Sequence, residues 1–158
     1  MDIVQNSLLV LFLQAIPEKI AFSLLVVAIT NDLKNWKKAV FVGIGLAFAL
    51  HFIRSLDFIS FGIHALIFMG MAVILYEWVL NSRFTIIVVS VMIGMMLIVA
   101  GELLSFLLVT YFVGLTLEEM AKSTFWWIVS GWLHIIITLI VAHVIYIKNK
   151  NSGGKMYA

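Results

Sequence analysis

Eight side chains in this sequence can hold charge, exchange a proton or bind a polar ligand from within strongly apolar surroundings: Gln14, Glu18, Lys19, His64, Glu102, Ser130, His134 and Thr138. Glu102 stands out, because it is the only formal charge in residues 84–114. At 1.5 Å per residue, a helix over that stretch is longer than a hydrocarbon core of about 30 Å. A carboxylate near the middle of a membrane costs at least about 2.5 kcal/mol on insertion scales, so it is expected to face a bundle interior or a wet cavity with a partner. Lys19, His64 and His134 are the candidate partners. Ser130, His134 and Thr138 recur at intervals of four, which places hydroxyl and imidazole on one helical face. Glu18 and Lys19 bring a second carboxylate and an ammonium beside Pro17 and Gln14.

These residue types suit a ligand cavity or a proton path better than covalent chemistry. The sequence has no P-loop, no GxSxG and no dinucleotide glycine pattern, since Gly43-Ile44-Gly45 lacks its third glycine. No catalytic residue is therefore assigned. No resident cofactor is expected; the alternatives are haem held by two of the four histidines, or zinc held by histidines and Glu102, and neither has a diagnostic spacing. His51 reads as interfacial, and methionines such as Met92, Met95 and Met96 as packing filler.

Positioning this set requires a membrane scaffold. With 64% hydrophobic and 11% charged residues, the chain lies far from the soluble range of about a quarter charged, and the absence of cysteine excludes disulfides and thiolate metal sites. The expected fold is an all-α integral membrane protein, a bundle of five transmembrane helices over about 7–30, 39–56, 58–80, 84–113 and 124–147, with a flexible tail over 148–158. The first span is interrupted by Pro17. Either one helix kinks there, freeing the carbonyl one turn earlier and turning Glu18 and Lys19 inward, or residues 3–16 lie along the interface and Pro17 opens a short span. The kinked helix is preferred, because 21–30 alone is about half the length of a span. Without an early Lys or Arg the N-terminus lacks the charged region of a secretory signal, and the first span is expected to be retained. Gly43, Ala47 and His51 form a small and polar stripe on the second span, and Gly94, Gly101 and Ser105 offer close-approach positions on the fourth.

Charge sets the expected orientation. Lys34, Lys37, Lys38, Arg83, Lys148, Lys150 and Lys155 fall on one side of five spans, whereas Arg54 and Lys122 fall on the other. The positive-inside rule then places the C-terminus in the cytoplasm and the N-terminus outside a cell membrane. In that frame Gln14, Glu18, Lys19, His64, Glu102 and His134 share the outer half of the bundle, and His143 lies near the cytoplasmic end. The net charge of +2 gives no reason to expect nucleic acid as a partner.

The run Leu13-Gln14-Ala15-Ile16-Pro17-Glu18, followed by an apolar helix and a basic loop, resembles the start of small membrane proteins of Gram-positive bacteria. It is also similar to the membrane input domains of peptide-sensing receptor histidine kinases of the accessory-gene-regulator type. The resemblance covers the layout of five spans and six residues of motif. It implies a bundle that binds an extracellular peptide and signals through a cytoplasmic kinase. Residues after 147 carry neither a phosphoacceptor helix nor an ATP-binding domain, so the resemblance implies a sensor module that needs a signalling partner.

The functional expectation is a ligand-binding, sensory or regulatory membrane module with an outward-opening polar cavity around Glu102. Glu102 and Glu18 would supply negative charge, Arg54 and Lys19 positive charge. The alternative is a small oligomeric transporter or channel subunit with a proton or ion path through Glu18, Glu102 and His134; a third reading is a haem-binding redox protein. The expected partners are the lipid bilayer, further copies of the chain, and a membrane or cytoplasmic signalling protein.

Overall fold

A computed structural model describes residues 7–54 and 61–151, and every regular element among them is helical. The helices are α1 (Leu8–Thr30), α2 (Trp36–Arg54), α3 (Phe61–Val79), α4 (Phe84–Val113), α5 (Leu117–Lys122) and α6 (Thr124–Asn151). Four of them, α1, α4, α6 and α2 with the 3-10 turn that precedes it, are long and apolar enough to cross a membrane. The fifth, α3, is apolar but shorter over its described residues. Large apolar side chains such as Phe41, Trp78, Tyr111 and Phe112 are exposed on the outside, a surface compatible with contact with lipid.

The centre of the bundle is α1, not the long apolar α4. Of the most apolar window of α1, 61% is buried, against 28–33% for the other long helices. The cause is its polar content: Gln14, Glu18, Lys19, Ser23 and Thr30 cannot face hydrocarbon cheaply, so the other helices surround them. It packs against α2, α4 and α6, while α3 closes the far side between α2 and α4.

Two faces of α1 do different work. On one, Phe22 and Val26 meet Leu46, Phe68, Tyr76 and Val91 in a closed apolar core, with the Phe22 and Phe68 rings edge to face at 5.5 Å. The Tyr76 hydroxyl in this core shares a 2.7 Å hydrogen bond with Ser23 Oγ. The other face, carrying Gln14 and Glu18, turns towards α4 and α6.

Pro17 does not end α1. Residues Leu11–Ala15 form one π-helical turn that joins the first α-helical turn to Ile16–Thr30. Pro17 offers no N–H to the Leu13 carbonyl, and the Trp132 indole N–H of α6 donates to that oxygen instead at 2.9 Å. The helix runs without a break through Pro17 over Leu8–Thr30; residues 3–6 lie outside the described set.

Polar contacts also tie off the ends. The Asp32 carboxylate accepts from the Asn35 amide at 2.9 Å and the Asn81 backbone N–H at 2.7 Å, and Asn149 donates to the Ala28 carbonyl at 2.7 Å. The 31–35 loop, the 80–83 connection and the C-terminal end of α6 thus meet at one end of the bundle. There α6 continues to Asn151, so residues 148–151, expected in the tail, extend the helix. Residues 152–158 and 55–60 lie outside the described set, the latter including the expected ends of the second and third spans. At the opposite end α4 stops at Gly114, whose φ of 78° suits a residue without Cβ. Thr116 and Glu119 then form a capping box that starts α5.

Candidate functional site

Close helix contact creates the site. A Cβ added to Gly101 of α4 would lie 2.6 Å from the His134 Cβ and 3.3 Å from its Cα, so only glycine lets α4 approach α6 at this level. A Cβ on Gly131, one turn from His134, would overlap the Gln14 amide. These two glycines bring α1, α4 and α6 together around Gln14, Glu18, Glu102 and His134.

Between the three helices lies a cavity of about 250 Å³. Gln14 and Glu18 reach it from α1, Glu102 and Ser105 from α4, and Ser130 and His134 from α6. Arg54, at the end of α2, also lines it, and Leu117 and Met120 cover it from α5. Met120 is 2% exposed, so this short helix is seated on the bundle rather than extended into solvent. Its capping box draws charge to Glu119: the Thr116 backbone N–H and hydroxyl hold that exposed carboxyl below the usual carboxylate range.

Within the cavity the charges are arranged unequally. Glu18 presents Oε1 to the Lys19 ammonium in a direct ion pair and Oε2 to His134 Nε2 at 3.5 Å. The Lys19 ammonium also lies 4.3 Å above the Phe68 ring, between the carboxylate and the apolar core. A carboxylate oxygen of Glu102, a carboxylate oxygen of Glu18 and a His134 nitrogen all fall within 4.8 Å of one another. The Glu102 residue as a whole is exposed, which sets it at the rim of the cavity rather than in its floor.

Several buried polar atoms here have no hydrogen-bond partner: Gln14 Oε1 and both ring nitrogens of His134. Their residues are 7% and 1% exposed. Burying such groups unpaired costs about 1–3 kcal/mol each, so the arrangement favours anything that satisfies them. The nearby hydroxyls, by contrast, spend their protons on their own helices. Ser105 donates to the Gly101 carbonyl, Ser130 to Trp127 and Thr138 to His134, at 2.7, 2.9 and 2.8 Å. Only their lone pairs remain for a ligand.

Of the eight residues singled out from sequence, five line the cavity: Gln14, Glu18, Glu102, Ser130 and His134. Lys19 acts on it through Glu18, and Thr138 sits one turn beyond His134, bonded to its carbonyl. His64 is not among the lining residues; it is half-buried on α3 with Nε2 unpartnered. Lys19, His64 and His134 are the expected partners of Glu102 in the bundle interior; the residue is instead exposed, with a carboxylate oxygen within 4.8 Å of a His134 nitrogen, and Glu18 comes to 3.5 Å of the imidazole. Three contributors had no signal as chemistry in the sequence: Met120, Trp127 and the Ser23–Tyr76 pair that braces α1 behind Lys19. The Thr116-Leu117-Glu118-Glu119 spacing would have located the first of them, because it marks a helix start that carries Met120 inward. The chain matches no protein-family model, and comparison with curated proteins and with solved structures gave no match, so the candidate site rests on the residues themselves.

Proposed function

We propose that this chain is a five-span membrane module, with α3 as the remaining span, that binds a small polar ligand in the α1–α4–α6 cavity and acts as a sensor or regulator. The observation that carries the reading is the convergence of two carboxylates, one imidazole and one amide, some with unsatisfied atoms, on one cavity in an apolar bundle. A volume of about 250 Å³ admits a small ion with water, a small polar molecule or one side chain of a peptide. The last would suit the resemblance to peptide-sensing receptor inputs. In the orientation set by the basic loops, the cavity opens outward, the N-terminus is outside and the C-terminus cytoplasmic, and oligomers or a signalling partner transmit the bound state.

A second reading, an oligomeric proton or ion transporter, is favoured by the nearness of Glu18, Glu102 and His134, which form a proton-exchanging set. Two measurements decide. Ser130→Cys should react with a membrane-impermeant thiol reagent from the outer face of cells, because the sequence has no other cysteine; protection of Ser130→Cys would overturn the outward-facing cavity. Proteoliposomes should show no proton or cation flux; a flux abolished by Glu102→Gln would replace the sensor reading with the transporter.

A further inference from the structure

The geometry points to a divalent transition-metal site formed by Glu18, Glu102 and His134, an inference that rests on reading the cavity as the binding site and names its ligand. Three independent features meet there. First, the side chains are of the right chemical class: one imidazole and two carboxylates are a donor set for zinc, manganese or iron, and Gln14 brings an amide oxygen to the same cavity.

Second, the spacing suits ligation better than hydrogen bonding. Two ligand atoms each about 2.1 Å from a tetrahedral ion stand roughly 3.4 Å apart. Glu18 Oε2 and His134 Nε2 are 3.5 Å apart, long for a charge-assisted hydrogen bond but close to the edge of such a tetrahedron. All three donor atoms lie within 4.8 Å of one another. To join the same ion, Glu102 at the rim would have to swing its carboxylate closer by side-chain rotation, with water filling the remaining positions.

Third, the donor atoms are at most weakly engaged. His134, 1% exposed, has no partner at Nδ1 and only the 3.5 Å approach of Glu18 Oε2 at Nε2, and Gln14 Oε1 is unpartnered. Glu18 divides its oxygens: Oε1 is held by Lys19, which fixes the carboxylate, and Oε2 points to the imidazole. Lys19 therefore needs no displacement. It orients a ligand in the way outer partners commonly do at metal centres. The close approach at Gly101 fixes the root of the His134 side chain between α4 and α6, and the residue is 1% exposed.

The test uses the full chain, purified without a histidine tag in lipid nanodiscs and equilibrated with Zn²⁺, Co²⁺ or Cu²⁺ in turn. We expect one Zn²⁺ per chain by elemental analysis, visible d–d absorption from bound Co²⁺, and a Cu²⁺ pulsed-EPR spectrum with a single coordinated imidazole. His134→Gln should weaken binding by about tenfold or more, as should Glu18→Gln, while His64→Gln should leave it unchanged. The wild-type EPR spectrum decides the ligand count even where a variant fails to fold. The absence of stoichiometric binding, a spectrum with two imidazoles, or full affinity in a folded His134→Gln protein would each overturn the metal site. Thiol labelling of Ser130→Cys separates the levels: an accessible cavity that binds no metal defeats this inference alone, whereas a protected cavity defeats the binding module as well.

Discussion

Replacing Gly101 with alanine probes the closest point of the candidate site without touching a charge. The new Cβ would begin 2.6 Å from the His134 Cβ, whereas carbon atoms in contact rest at about 3.5–4.0 Å. The obstacle is the root of a side chain on a helix, so rotamer changes cannot relieve it and α4 and α6 must part by about 1 Å. Overpacking of this kind costs about 1–3 kcal/mol. Against it stands the better helix propensity of alanine, which contributes up to about 1 kcal/mol. Gly45 and Gly70 isolate that second effect, because a Cβ at either meets nothing within 4 Å. Gly45→Ala and Gly70→Ala should leave stability unchanged or raise it slightly, and Gly101→Ala should fall below them by about 1–3 kcal/mol. For a chain of this size each kcal/mol moves the melting temperature by roughly 2–4 °C. Intrinsic tryptophan fluorescence on heating in one detergent reads the three variants side by side. Equal melting of Gly101→Ala and Gly45→Ala would refute the close α4–α6 crossing, and with it the placement of His134.

Trp132→Phe should destabilise the bundle by about 1–3 kcal/mol, since it strands the Leu13 carbonyl that Pro17 cannot serve. In a Pro17→Ala background the restored N–H can take that carbonyl, so the same change should cost less; a thermal double-mutant cycle without coupling would contradict the contact. The capping box predicts a pH response in α5. The pKa of Glu119 is lowered by folding, so its contribution is fully present above pH 4.5 and is lost as pH falls through the depressed value. Exchange protection over residues 116–122, relative to the unfolded rate at each pH, should therefore begin to fall only as pH drops below 4.5 in the native chain, and Glu119→Ala should show low protection at neutral pH; undiminished protection in that variant would remove the box as the anchor of α5.

The helical architecture was legible because hydrocarbon-length apolar runs leave little choice of structure. The identity of the central helix was not. Residues 84–114 are the most apolar long run, and that draws attention; yet apolarity suits exposure to lipid, and the more polar α1 is enclosed for the opposite reason. Depth and charge leave Lys19, His64 and His134 as equal candidates beside Glu102. That Glu18 would come nearer to the imidazole depends on the π-helical turn and the Gly101 and Gly131 contacts, which set rotation and approach about the helix axes. Hydropathy carries no record of either. His64 matches the site in residue type, but its place on α3 is fixed by packing of Phe68, Ala72 and Tyr76 into the apolar core, leaving it outside the cavity lining.

The adjacency of Glu18 and Lys19 matters before the bundle exists. During synthesis α1 emerges long before His134, which follows more than a hundred residues later. At about 5–20 residues per second, that interval is on the order of 10 s. If α1 crosses a membrane, it would have to enter without His134 beside its carboxylate, and each central charge would cost about 2.5–3.5 kcal/mol if it entered alone. A counter-charge on the next residue travels with the carboxylate and lets the nascent helix carry both as a neutral unit. For a helix that enters a membrane ahead of its neighbours, the Lys19 ammonium would thus escort Glu18 from translation onward, and the His134 imidazole would join the pair later.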